Sequence, residues 1–457
     1  MPRCQLVCAI AIVAALSGCT PEPGVPDPGT DGPPTVSILV RIDQSDSTLV
    51  EGEQLQLTAT VTTVGTTNDT LTWTSGNADA ASVTADGIVT ALSRGSAAIR
   101  ASSDADPTRS DSITVTVIRS GDLNWATQFG TINDDSAHGV TVDTSGNVYV
   151  GGSTAGDLGG GMAAWLDGFV RAYERSGAPR WTRQIGTDSI DAVAGVATDP
   201  SGHVYVAGRT LGDLAGENAG GFDGFVTSHT SEGASRWVDQ FGSTNGDEVH
   251  AIATDASGTV YVAGNAGGDL DTGLAGTLSA FVRAYTSSGV VLWTRYLDTT
   301  GLTSSIAFGI ASDTAGTVYV SGYVLGDLAG ASSDLSDAFV RAYDSEGNVL
   351  WTRQFGTSGA DQATAVAADA FGNVFVVGST EGDLDGISSG GSDAFVRAYD
   401  GDGGARWARQ FGTSGVDVAY AVAADAFGSV YVVGSTWGDL DGTHAGARDV
   451  FVRSYVR

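Results

Sequence analysis

The chain has 457 residues and a formal charge of −31, from 53 acidic against 22 basic side chains. Every base is arginine, so Schiff bases, P-loops and Ser-Lys pairs are excluded, and the acidic surplus leaves no footprint for nucleic acid. The acids are 44 aspartates and 9 glutamates; with 65 glycines and 42% hydrophobic residues this composition favours turns and packed strands over helices.

The three cysteines, Cys4, Cys8 and Cys19, all lie at the start, which excludes a disulfide scaffold. Arg3 supplies a positive charge before an apolar run from Leu6 to Leu16, too short for a stable membrane span. The following Leu16-Ser17-Gly18-Cys19 resembles the bacterial lipobox. The resemblance implies a signal peptide over 1–18 and lipidation of Cys19, hence a membrane partner reached through acyl chains. The alternative is an ordinary secretory signal with an incidental cysteine. Thr20, by analogy with lipoprotein sorting, favours the outer membrane, on its periplasmic or surface side. Residues 19–34 carry 6 of the 10 prolines and read as an extended tether.

Residues 35–118 alternate in short runs, among them TVSILVRI, LQLTATVTT, SAAIRASS and DSITVTVI, separated by turn residues as in a β-sandwich. Trp73 is its one large aromatic and the expected core anchor. The stretches W-T-S-G-N and G-I-V-T-A-L-S-R-G resemble the bacterial group 2 Ig-like domain, which implies a stalk or adhesion module.

Beyond residue 120 the sequence repeats. Trp125, Trp181, Trp237, Trp293, Trp351 and Trp407 recur at intervals of 56, 56, 56, 58 and 56. Each unit runs W-x-R-Q-F-G-T, an A/G-V-A-x-D segment, G-N-V-Y-V-x-G, G-D-L and D-A-F-V-R-A-Y. Four short β runs per period predict one propeller blade per unit, with no room for a crossover helix. The segment opens on a fourth-strand sequence at Trp125 and finishes on a third-strand sequence at Phe451–Tyr455. The expectation over 121–457 is therefore a six-bladed β-propeller closed by N-terminal and C-terminal strands in one blade, so that no edge stays exposed. The whole chain is read as all-β. The units resemble the SBBP-type beta-propeller repeat of exported bacterial proteins, a family that implies no established catalysis. Units two to four depart most: Thr227, His229, Asp239 and Ser279 replace repeat residues, and Tyr296-Leu297-Asp298 replaces Q-F-G.

Several recurring positions are candidates for function. In D-x-x-G (Asp143, Asp199, Asp255, Asp313, Asp369, Asp425) a turn role is favoured, with Asp capping its own backbone and Gly supplying positive φ. F-x-R-x-Y and W-x-R-x-F place aromatic and Arg side chains on one strand face, as expected of stacked ladders between blades. Two sets of carboxylates fall on one propeller face: Asp157, Asp213, Asp269, Asp327, Asp383 and Asp439 in the G-D-L loops, and Asp135, Asp191, Asp247, Asp361 and Asp417 before the innermost strands. Reinforced by Asp385 and Asp441, they form candidate calcium ligands, set against plain loop capping in water. At the start of each innermost strand the residue type changes from unit to unit: His138, Ala194, His250, Phe308, Thr364, Tyr420. This is where a ligand-selective surface would sit, with His138, His250 and Tyr420 as candidates. Trp165 and Trp437 stand outside the repeat and would become neighbours on ring closure, forming a sugar-stacking platform or packing within the loops.

Signs of catalysis are sparse. The segment AYDSEGNVLW places Asp344, Gly347 and Trp351 at a sialidase-like turn with the wrong spacing, and no H-E-x-x-H occurs. The sequence thus points to a lipid-anchored envelope protein that binds a protein or glycan ligand. The competing expectation is a propeller hydrolase, lactonase-like or glycosidase, with a metal in the channel.

Overall fold

The computed structural model describes residues 37–456 apart from 65–68, 119–124, 160–164, 272, 274, 298–300, 330–334, 426–427, 441 and 443–445. Cys19, the tether and Asp441 lie outside the described residues. Every regular element described is a β-strand, as expected of the composition. The chain divides into two units, one ending at Asn124 and one beginning at Trp125.

The first unit is a small sandwich. Strands β2 (Ser47–Val50), β9 (Ser110–Ile118), β8 (Gly95–Ser103) and β5 (Leu71–Ser75) form one sheet in that order, with β2 parallel to β9. Strands β3 (Gln54–Gln56), β7 (Ile88–Ala91) and β6 (Ala81–Val83) form another, and β1 (Ser37–Ile42) pairs with β4 (Ala59–Val64). Alternation puts Ile38, Val40 and Ile42 inward from β1, and Ile113, Val115 and Val117 from β9, into one apolar core. Trp73 packs against that core while remaining half-buried.

The second unit is built of blades. Blade 1 comprises β10 (Asp135–Val142), β11 (Val148–Thr154), β12 (Asp167–Tyr173) and β13 (Pro179–Ile185). Blade 2 holds β14 (Asp191–Thr198), β15 (Val204–Thr210), β16 (Asp223–His229) and β17 (Ser235–Phe241). Blade 3 holds β18 (Asp247–Thr254), β19 (Val260–Gly268), β20 (Ala275–Tyr285) and β21 (Val291–Tyr296). Blade 4 holds β22 (Leu302–Ser312), β23 (Val318–Gly326), β24 (Ser336–Tyr343) and β25 (Val349–Phe355). Blade 5 holds β26 (Asp361–Ala368), β27 (Val374–Thr380), β28 (Asp393–Tyr399) and β29 (Ala405–Phe411), and blade 6 holds β30 (Val418–Ala424), β31 (Ser429–Thr436) and β32 (Asp449–Val456). All are antiparallel meanders. Middle strands such as β15 and β16 are buried on both faces, which is why they read as near-continuous apolar runs.

The seams between blades carry the core. Five buried clusters each straddle two successive blades, for example Tyr261 and Val282 of blade 3 with Val318 and Phe339 of blade 4. The Arg–aromatic ladders also run across seams: Arg283 lies 4.6 Å over Phe241, Arg397 4.4 Å over Phe355 and Arg453 4.0 Å over Phe411. A second lock joins the fourth strands of blades 1 to 4 to the turn of the following blade. Trp351 Nε1 donates to Gly401 O at 2.7 Å and Arg353 Nε to Gly403 O at 2.8 Å, with the same pattern at Trp181 and Arg183.

Ring closure takes a form the repeat pattern did not specify. Trp125–Gly130 packs on blade 1 as every fourth strand packs on the blade that follows it. Trp125 stacks on Tyr173 at 5.9 Å, Phe129 meets Phe169 edge-on at 5.6 Å, and Arg171 lies 4.7 Å over Phe129. Among the described residues, however, β32 pairs with β31 alone, and its Val450 and Val452 are 81% and 66% exposed. The side-chain half of the closing strand is in place, and among the described residues no backbone ladder joins it to β32.

Candidate functional site

The innermost strands β10, β14, β18, β22, β26 and β30 adjoin one another in that order. In all six the pairing with the second strand slips by one residue at the same place: at His138, Ala194, His250, Phe308, Thr364 and Tyr420. Each position that varies between units is therefore a β-bulge, a device that re-aims a side chain and interrupts the ladder. The glycine of V-Y-V-x-G makes room for it. A Cβ on Gly208 would strike the Ala192 carbonyl and stand 3.0 Å from the Val193 Cα.

The bulge residues reach toward the next blade. His138 Nδ1 lies 2.7 Å from Val193 O, which fixes it as a donor, and its Nε2 lies 3.0 Å from Ser136 Oγ. Thr364 Oγ1 donates to Ala419 O at 2.6 Å. His250 Nε2 lies 2.5 Å from Asn265 Oδ1, and its ring meets Phe308 at 5.6 Å, which in turn meets Tyr323 at 5.8 Å. Burial lowers the pKa of His250, with Arg209 adding to the effect and the Asn265 hydrogen bond and Glu248 charge opposing it. His138 and His250, separate in sequence, share one cavity of about 260 Å³ with Arg209 and Glu248, which form an ion pair across the seam between blades 2 and 3. Tyr420 stands apart on blade 6, 48% exposed, with Ser435 Oγ 3.4 Å from its hydroxyl.

Arg209, Glu248, Asn265 and Tyr323 escaped the sequence reading. The signal was present: the residue after V-Y-V-x-G is Ser153, Arg209, Asn265, Tyr323, Ser379 or Ser435, and three of the six are not serine.

The candidate calcium ligands are placed otherwise. Asp157 accepts Gly159 N at 2.7 Å and Asp383 accepts Ser388 N at 2.7 Å, each capping its own loop. Asp385 takes Arg397 in a two-point ion pair at 2.5 and 2.8 Å, and Asp439 is exposed. Asp361 and Asp417 accept the backbone N–H of Thr357 and Thr413, both at 2.6 Å. Their carboxylate neighbours are the third-strand aspartates, not those of the G-D-L loops. Asp337 and Asp361 crowd Gly356 together, and Asp417 N donates to Ser392 O at 2.6 Å, beside Asp393. Burial pushes the Asp361 and Asp247 carboxyls up, and the like charges of Asp337 and Asp223 add to it. Among the described residues no three His, Cys, Asp or Glu side chains group as metal ligands.

The D-x-x-G carboxylates are turn caps. Asp255 accepts Ser257 N and Thr259 N at 2.9 Å and Tyr261 OH at 3.0 Å. Of the two tryptophans outside the repeat, Trp165 is 80% exposed and Trp437 46%, the latter with Arg448 5.6 Å from its ring. Among the described residues no ring contact joins them.

Residues 39–121 match the bacterial Ig-like domain (group 2) family, and residues 124–159, 180–215, 350–385 and 406–441 match the beta-propeller repeat family. The chain thus carries an Ig-like domain followed by β-propeller repeats. It is 30% identical over 255 residues to the regulatory protein FlaEY of Caulobacter vibrioides, across 50% of this chain and 25% of that protein, so it spans about a quarter of that relative's length. Solved structures similar in fold include an alpha-L-arabinanase of Penicillium chrysogenum (TM-score 0.38, 10% identity, 70% of this chain and 92% of that one). The Hadza microbial sialidase Hz136 (0.39, 10%, 76% and 73%) and the propeller domain of the Pyrococcus furiosus trilobed protease (0.33, 10%, 71% and 96%) are others. These scores support no residue-by-residue correspondence.

Proposed function

We propose that this protein is a binding protein of the bacterial cell envelope, anchored by lipid on Cys19, whose propeller takes a protein or glycan ligand at the mouth of its channel. The observation that supports this reading is the bulge repeated in six innermost strands, occupied by five different residue types. Elsewhere the repeat keeps its structural residues nearly constant; at the bulge it keeps the backbone device and changes the chemistry. That is the pattern of a scaffold with a variable surface. The cavity's polar groups are held by one another: Arg209 by Glu248, His138 by Ser136 and the Val193 carbonyl, His250 by Asn265. A general base needs a lone pair aimed at substrate, so this arrangement favours recognition over proton transfer.

The test is a protein and glycan array probed with the full chain and with a His138→Ala/His250→Ala variant, alongside turnover assays on lactones, phosphoesters and glycosides. Binding lost in the variant supports the reading. Turnover by the wild type that is lost in the variant replaces it with a hydrolase. Anchoring is checked by a globomycin-sensitive shift in mobility.

A further inference from the structure

The six bulges are not chemically equal. On blades 2 to 4 the bulge and its cross-strand neighbours depart together from the repeat. Arg209, Asn265 and Tyr323 stand where blades 1, 5 and 6 carry Ser153, Ser379 and Ser435. Glu248, paired across the strands with Asn265, stands where Ser136, Ala192, Gln362 and Val418 stand in blades 1, 2, 5 and 6. These departures are contiguous in space. The Arg209–Glu248 ion pair and the two histidines line the 260 Å³ cavity, and the chain of rings from His250 through Phe308 to Tyr323 extends its wall across blades 3 and 4.

We propose that this wall binds one uncharged, hydroxyl-rich sugar ring of a neutral glycan. The proposal rests on the channel mouth being the ligand site. The Arg209–Glu248 pair is partly exposed, with side chains 40% and 23% accessible. Guanidinium has five N–H donors and carboxylate about four acceptor positions, so the pair keeps both kinds of group available after bonding to itself. Adjacent ring hydroxyls, each donor and acceptor at once, match such a pair. The Arg209 plane is steadied by Phe222, 4.7 Å from the guanidinium carbon.

Charge excludes the other small-ligand classes. The pair cancels internally and burial disfavours a charge on His250, so neither offers an anion a net positive field in a chain of charge −31. A cation meets no unneutralised carboxylate there. Half-buried Phe308 and Tyr323 supply an apolar, polar-tipped surface for the C–H face of a ring. The cavity lies near the lower end of ligand-pocket volumes, about 300 Å³, so it suits a single ring rather than a folded peptide element.

The experiment uses the full chain on immobilised polysaccharides: neutral glucans, mannans and galactans against polygalacturonate and heparin, with a peptide array beside them. Retention on at least one neutral glycan is expected, competed by its methyl glycoside. Glu248→Gln, Arg209→Gln and Phe308→Ala should each weaken it tenfold or more, while Leu292→Ala, on the outer strand β21, leaves it unchanged. Thermal melting confirms that each variant folds, and Phe308→Ala keeps the test valid if breaking the ion pair does not. Retention confined to an anionic polysaccharide or peptide and lost in Phe308→Ala overturns the sugar class while upholding the mouth as the site. Neutral-glycan binding that survives all three variants overturns the site itself. No retention on any neutral glycan overturns the proposal.

Discussion

His229 shows how one departure from the repeat changes the chemistry of a seam. The other third strands carry Tyr173, Tyr285, Tyr343, Tyr399 and Tyr455 at the equivalent position, whereas β16 ends in a histidine that is 5% exposed. Its Nε2 lies 3.1 Å from Thr227 Oγ1, and its ring faces Trp181 at 6.3 Å. Burial pushes its pKa down to about 4, with the Arg183 charge adding to the effect. The unfolded chain therefore takes up this proton first. The stabilising neutral form is fully in place above the ordinary histidine range and is lost as pH falls from about 6.5 toward 4. The shift corresponds to a loss of about 2.5 kcal/mol at pH 4.5 relative to neutral pH. His229→Tyr, which restores the repeat, should remove that part of the acid sensitivity. Urea denaturation at pH 7 and pH 4.5 checks it, and an equal drop in stability for both proteins would refute the assignment. This residue was visible in the sequence as a departure, but its burial was not, because only packing against the preceding blade sets its environment.

Between strands, the W-x-R motif acts on the turn of the next blade rather than within its own. Gly403 has φ +77°, and a Cβ there would stand 2.6 Å from the Trp351 ring. Gly372 has φ +79° and open space around the same position. The two glycines separate conformational from steric demand. Gly372→Ala should cost about 1–2 kcal/mol, the left-handed penalty alone. Gly403→Ala should cost about 2–5 kcal/mol, since overpacking adds to that penalty. Denaturant midpoints of the two variants measure the difference, and equal costs would mean that Trp351 yields freely. Strands, turns and blade number were legible because the repeat states each of them six times. The bulge was not legible, because a residue added to one strand leaves the spacing of the motif unchanged; its one trace was the glycine opposite. The part of the proposed ligand wall beyond His138 and His250 escaped for the opposite reason. It is written in residues that break the repeat, such as Arg209 and Glu248, and averaging over units hides them.

At the scale of the whole propeller, the question is what holds the first and last blades together. Trp125 Nε1 donates to Arg175 O at 3.1 Å, and a Cβ on Gly177 would stand 2.6 Å from the Trp125 ring, the same lock found at Gly233, Gly289, Gly347 and Gly403. The segment is thus bound to blade 1 by side chains. Among the described residues β32 pairs with β31 alone, and an edge with exposed Val450 and Val452 is a template for association with other chains. The repeat assigns the segment's own backbone as the partner of that edge, since it carries the missing fourth-strand sequence. Trp125→Ala/Phe129→Ala should release the segment, lower the melting temperature of the full chain by about 5 °C, and shift its elution toward larger species. Val450→Lys/Val452→Lys, placed on top of that double variant, should restore the monomer without restoring the melting temperature, because charge blunts the edge but replaces none of the lost packing. A double variant that melts and elutes like the wild type would show that Trp125 and Phe129 play no part in closure.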